Sequence, residues 1–83
     1  MLEGHDLQLF CFASGRPTPT ITWVRVLSDG SESDVLHTND TWDFLNISRT
    51  DAGTYRCKAE NGVGNPVSHT LRVIVKCKYV FMQ

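Results

Sequence analysis

With 83 residues the chain has room for one domain around one small core, since a chain this short buries only about 60% of the surface it exposes when unfolded. Eight Lys and Arg stand against nine Asp and Glu, and the net charge of -1, mixed along the chain, supplies no field to recruit nucleic acid or an anionic membrane. No run approaches the roughly 20 apolar residues that span a bilayer, and residues 1–6 lack the charged-then-apolar layout of a signal peptide. Direct membrane insertion by these residues is not expected, and any leader or anchor is expected in a longer parent protein.

The predicted elements are strands and turns throughout. Over residues 6–13, Leu7, Leu9 and Cys11 alternate with Asp6, Gln8 and Phe10, the period of two that marks a half-buried strand. One Gly and two Pro in Ser14-Gly15-Arg16-Pro17-Thr18-Pro19 break the pattern, and β-branched and aromatic residues resume it over residues 20–27. The Asp29-Gly30 pair favours positive φ in a tight turn, so the chain is expected to double back toward Asp34-Val35-Leu36-His37. Thr38-Asn39-Asp40-Thr41 reads as another turn. Trp42 and Phe44 then face one way, Ile47 closes the strand, and Ser48 to Gly53 makes a corner. Over residues 54–60, Tyr55, Cys57 and Ala59 share one face while Arg56 and Lys58 share the other. A loop dense in turn formers, Asn61 to Pro66, leads to a final strand over residues 67–75 with Leu71, Val73 and Val75 in register. Six or seven short strands can bury their apolar faces only as a closed barrel or as two stacked sheets.

The three cysteines bear on that choice. Cys11 and Cys57 fall at inward positions of predicted strands, and Cys77 lies beyond the last one without an obvious partner. A bridge from Cys11 to Cys57 would close a loop worth roughly 4 kcal/mol of chain entropy, and Trp23, twelve residues after Cys11, would give it a flat apolar surface to pack on. The competing reading is two buried free thiols acting as small hydrophobes.

The order Cys11, Trp23, Asp51-x-Gly53-x-Tyr55-x-Cys57 resembles the immunoglobulin superfamily over nearly the whole chain. Ala13-Ser14-Gly15-Arg16-Pro17-Thr18-Pro19-Thr20-Ile21-Thr22-Trp23 and Ala59-Glu60-Asn61-Gly62-Val63-Gly64 are similar to its I-set. The resemblance implies an all-β, immunoglobulin-like Greek-key β-sandwich of about seven strands, over residues 1–76, with residues 77–83 as a C-terminal tail or linker. It also implies roles. Tyr55 would bond through its hydroxyl to the upstream backbone, Asp51 would cap the short turn before strand 54–60, and Gly53 would supply a conformation that a β-carbon resists. In the family the acidic residue at Asp51 usually pairs with an Arg or Lys ahead of the strand that bears Trp42. Residues 31–41 hold neither, so that partner is expected to be missing or replaced by His37, and the end of the sandwich to be less firmly tied. Only ten residues precede Cys11, so the first edge strand, strand A, is expected to be truncated and the edge left open for dimerisation, with Cys77 as a second route to a dimer.

Members of this set include ectodomain modules of adhesion molecules and receptors and also intracellular rods of muscle proteins. Two glycosylation sequons, Asn39-Asp40-Thr41 and Asn46-Ile47-Ser48, together with the disulfide pattern, favour the extracellular or cell-surface reading over an intracellular spacer. No enzyme is expected: His5, His37 and His69 lack metal-ligand spacing, no Gly-rich phosphate loop follows a strand, and no nucleophile motif occurs, so no cofactor or metal is implied. By parity Arg56 and Lys58 project outward beside Arg72 and Ile74, with Val24 on the neighbouring strand, a basic face with apolar contacts. Because family members often use this sheet, the face is a candidate for homophilic or heterophilic protein binding, with an acidic glycan as a further candidate partner. An ordinary solvated face is the competing reading, and the loop Asn61 to Pro66 is a second candidate surface.

Overall fold

The computed structural model describes residues 1–76, so the expected tail, residues 77–83 with Cys77, lies outside the described residues. Strands β1 (Leu7–Phe10) and β4 (Thr41–Phe44) pair antiparallel as one sheet. Strands β3 (His37–Thr38), β2 (Thr20–Val26), β5 (Gly53–Glu60) and β6 (Val67–Val73) form the other, in that order. A 3₁₀ turn, Arg49–Asp51, leads into β5. The layout is the two-layer sandwich that the family resemblance implied, with six strands among the described residues.

Each element follows from local chemistry. β2 is a run of β-branched and aromatic residues whose odd positions, Ile21 and Trp23, turn into the core. At the end of β2 the chain reverses as expected: Leu27 N–H donates to Ser31 O at 2.7 Å, Asp29 Oδ1 accepts from Ser31 N–H at 2.9 Å, and Gly30 takes φ +87°. β5 alternates cleanly and pairs on both sides, with Trp23 opposite Cys57 and Cys57 opposite His69. The core consists of Leu9, Ile21, Trp23, Ile47, Tyr55, Cys57 and Val73, and Trp23 is fully buried.

Two expectations change in detail. The strand expected over residues 6–13 stops at Phe10, although Cys11 N–H still donates to Asp40 O at 2.8 Å. The strand expected over 67–75 stops at Val73, because its neighbour β5 begins at Gly53, the residue opposite Val73. The residues ahead of β1 nevertheless pair with another part of the chain. Leu2 bridges Lys76 in parallel: Glu3 N–H donates to Lys76 O and Lys76 N–H to Met1 O, each at 2.8 Å. Residues 1–3 therefore pair along the chain just past the end of β6, while the outer edge of β1 carries no strand among the described residues.

Candidate functional site

The disulfide joins the two layers. Cys11, just past β1, is bonded to Cys57 on β5, with Cα atoms 6.4 Å apart across a sequence separation of 46. Trp23 lies beside it on β2, and its indole N–H donates to Asn39 O at 2.9 Å, which ties the turn before β4 to the centre of the core. Trp42 organises the aromatic side of this core: its ring centroid lies 5.9 Å from Trp23, 4.5 Å from Phe44 and 5.5 Å from Tyr55, the last edge-on.

At the lower end, Tyr55 O–H donates to Asp51 O at 2.5 Å, and Asp51 Oδ2 accepts from Ser48 N–H at 2.8 Å. Burial raises the Tyr55 hydroxyl pKa; Arg25 opposes the rise and Asp51 adds to it. His37 does not stand in as the partner of Asp51. Its ring stacks on Trp42 at 5.4 Å and 6°, and its Nε2 lies 2.7 Å from Thr41 O. Arg25 ties the corner instead. Its guanidinium donates to Thr50 O at 3.3 Å and to Ala52 O, and sits 5.6 Å above the Tyr55 ring. The parity of β2 explains the substitution, since Arg25 shares the inward side with Ile21 and Trp23 and its end of the strand opens onto the corner. Gly53 is required by this arrangement: at φ +152°, an added Cβ would sit 2.7 Å from Arg25 Nη2.

The outer face of the four-stranded sheet carries the expected binding residues, with a different balance. Register places Arg56 between Val24 and Thr70, and Lys58 between Thr22 and Ser68. Glu32, brought back by the turn after β2, accepts from Arg56 Nη1 at 2.7 Å and from Lys58 Nζ. The face is therefore not simply basic, since one carboxylate sits between its two central cations. That carboxyl is held below the usual range, by Lys58 first and then Arg56. Val24 lies on this face but is only 4% exposed, so it is no free apolar contact, whereas Ile74 is 57% exposed. Arg72, opposite Thr54, completes the set. Neither Glu32 nor Arg25 was singled out by sequence reasoning. Arg25 had a usable signal, a charge at inward parity; Glu32 had none beyond its place after a turn.

The outer face of the two-stranded sheet is unlike this one. Phe10 and Phe12 are 53% and 71% exposed and stack with centroids 5.8 Å apart. Of the sequon residues, Asn39 is exposed in the turn before β4, and Asn46 is exposed with φ +53° in the turn after it. At the loop end, Asn61 Nδ2 donates to Pro17 O at 3.2 Å, beside a groove of about 360 Å³ lined by Phe12, Pro19, Val63 and Val67 among others. Among the described residues no group of three or more His, Cys, Asp or Glu could hold a metal ion, and no helix is long and apolar enough to cross a membrane.

Residues 1–61 match the model of the immunoglobulin domain family, and the chain belongs to that family. It is 43% identical over 79 residues to human IgLON family member 5, covering 93% of this chain and 21% of that protein. It is 40% identical over 79 residues to neural cell adhesion molecule L1 of Takifugu rubripes, covering 90% and 6%. With human MAM domain-containing glycosylphosphatidylinositol anchor protein 2 it shares 40% identity over 75 residues, covering 88% and 8%. The chain thus spans a small part of the length of the curated relatives it matches. Among solved structures it is similar to a chain of the complex of Dpr2 Ig1-Ig2 with DIP-Theta Ig1-Ig3, with a TM-score of 0.75, 35% identity, and coverage of 89% of this chain and 27% of that one. The chain is an immunoglobulin module of the adhesion and recognition type. Its relatives point to binding and not to catalysis.

Proposed function

We propose that this module works outside the cell or on its surface as a protein-recognition unit of a larger adhesion or receptor protein, partnered homophilically or heterophilically. The observation that carries the reading is identity near 40% across at least 88% of the chain with adhesion and anchored proteins. The Cys11–Cys57 bridge supports it, since disulfides persist in oxidising compartments, and so do exposed Asn39 and Asn46 in sequons. In this reading the folding unit is residues 1–76, with 77–83 as a C-terminal tail or linker.

The working surface is the outer face of β2, β5 and β6, where Arg56 and Lys58 hold the Glu32 carboxylate and Arg72 and Ile74 extend the same face. A partner that brings its own carboxylate, on a protein or an acidic glycan, would compete with Glu32 for the two cations. The rigid sandwich presents these groups at low ordering cost. Secretion from mammalian cells should give an oxidised chain with glycosidase-removable mass; a reduced, sugar-free product would remove the extracellular reading. On the secreted protein, the triple change R56E, K58E and R72E should abolish self-association or capture by neuronal-type adhesion ectodomains. Unchanged association would remove the face. Sedimentation with and without reductant tests the remaining routes to a dimer, the outer edge of β1 and Cys77.

A further inference from the structure

We infer that the exposed Phe10–Phe12 pair is the seat of the chain's own N-linked glycan at Asn39, whose innermost sugars lie over the two rings. The inference rests on the extracellular reading above. Antiparallel register pairs Leu9 with Trp42 and Phe10 with Thr41, and Cys11 N–H donates to Asp40 O at 2.8 Å, one step further. The ladder ends there: Phe12 and Asn39 each lie two residues beyond the Phe10–Thr41 pair, and Asn39 follows Thr38, which pairs with Thr22 in the other sheet. Residues directly opposed in an antiparallel ladder share a face, with Cβ atoms about 4.5–5.5 Å apart. Thr41, the third sequon residue, therefore stands across from Phe10 on the outer face of the β1–β4 sheet, with Asn39 and Phe12 just beyond the end of that ladder. Leu9 and Trp42, of opposite parity, turn into the core.

The attachment point is open and held. Asn39 Oδ1 accepts from Asp40 N–H at 2.7 Å, and Asn39 O accepts the Trp23 indole N–H, so the backbone at the root is fixed to the core. No hydrogen bond engages Asn39 Nδ2, the atom that would carry the sugar, among the described residues. Asn39 and Phe12 also line one shared groove of about 290 Å³, together with Pro19 and Ile21. A pyranose offers a face of C–H groups of slightly positive character, which suits the negative face of a phenyl ring. Tethering sets the occupant: a sugar rooted on the patch meets it at an effective concentration in the mM range, which no diffusing partner matches. Asn46 lacks such a seat. It follows the exposed Leu45, and its sequon hydroxyl, Ser48 Oγ, lies 2.6 Å from Thr50 Oγ1 and bonds Asp51.

The test uses protein secreted from mammalian cells in four forms: unchanged, T41V, F12S, and both changes. T41V removes the sequon but keeps Asn39 and a strand-forming residue. Peptide mapping should find Asn39 occupied in the Thr41 forms. Loss of the sugar should lower Tm by about 4 °C or more when Phe12 is present and by far less in the F12S background. Trimming to the first sugar should preserve the Tm, and that sugar's ring protons should shift upfield in the Phe12 forms only. An unoccupied Asn39 in a secreted, oxidised chain would overturn the inference while leaving the extracellular reading standing. An occupied Asn39 with equal Tm losses in both backgrounds, and no ring-current shift, would overturn it too, as would Phe12-dependent capture of a second protein by the glycosylated form.

Discussion

The two sheets share one core but present opposite surfaces. The four-stranded sheet closes its outer face with charge, since Glu32 joins Arg56 and Lys58 over a buried Val24. The two-stranded sheet carries one neutral-to-charged pair, Gln8 to Asp43, beside the exposed ring of Phe10, with Phe12 just past its end, and has too few strands to stand alone. It is held by what crosses to the other layer: the disulfide, the Trp23 bond to Asn39, and Trp42 packed among Trp23, Phe44 and Tyr55. Stability in such a small sandwich therefore sits in the crossings, and the thin layer depends on them most.

Cutting the staple should break the comparison most severely. The double change C11S and C57S removes a loop constraint worth about 4 kcal/mol, to be read in a urea titration. In that variant, hydrogen exchange should show β1 and β4 amides opening before those of β2 and β5; simultaneous opening would mean that the layers do not differ. Next comes the corner. Arg25→Met strips the Thr50 and Ala52 carbonyls of a charged donor and should lower the unfolding free energy by about 1.5 kcal/mol in the same titration. His37→Gln should leave the corner intact, because His37 belongs to the Trp42 side. Smaller again, Tyr55→Phe should cost about 1 kcal/mol by loss of one hydrogen bond to Asp51 O.

The least effect is the pH response of the charged face. The Glu32 pKa is depressed in the folded state, so its contribution is present above the ordinary value of 4.5 and is lost as pH falls through the lower folded value. Acidification should free Arg56 and Lys58 and shift the Arg56 Nε and Lys58 Nζ resonances, and E32Q should remove the transition. A titration unchanged by E32Q would show that the bridge does not form in solution.

Much of the fold was legible because its signals are local. Period-two alternation placed Leu9, Trp42, Tyr55 and Cys57 inward, the Asp29-Gly30 pair marked a reversal that forms, and the family resemblance carried by Cys11, Trp23, Tyr55 and Cys57 implied the sandwich. Strand ends were misjudged because a strand lasts only as long as its neighbour. Of the candidate face, parity correctly grouped Arg56, Lys58 and Arg72, yet it was silent on Glu32, which is 24 and 26 positions from the cations it joins.

The sequence by itself determined which residues face in and where the chain turns, since these depend on side-chain period and turn chemistry. Only the tertiary structure decided what lies across from each residue. It put Arg25 where His37 was expected, Glu32 between two cations, Val24 out of reach, and Phe10 across from Thr41. Pairing across strands is set by register and by how far each turn carries the chain, and neither quantity is written in any single segment.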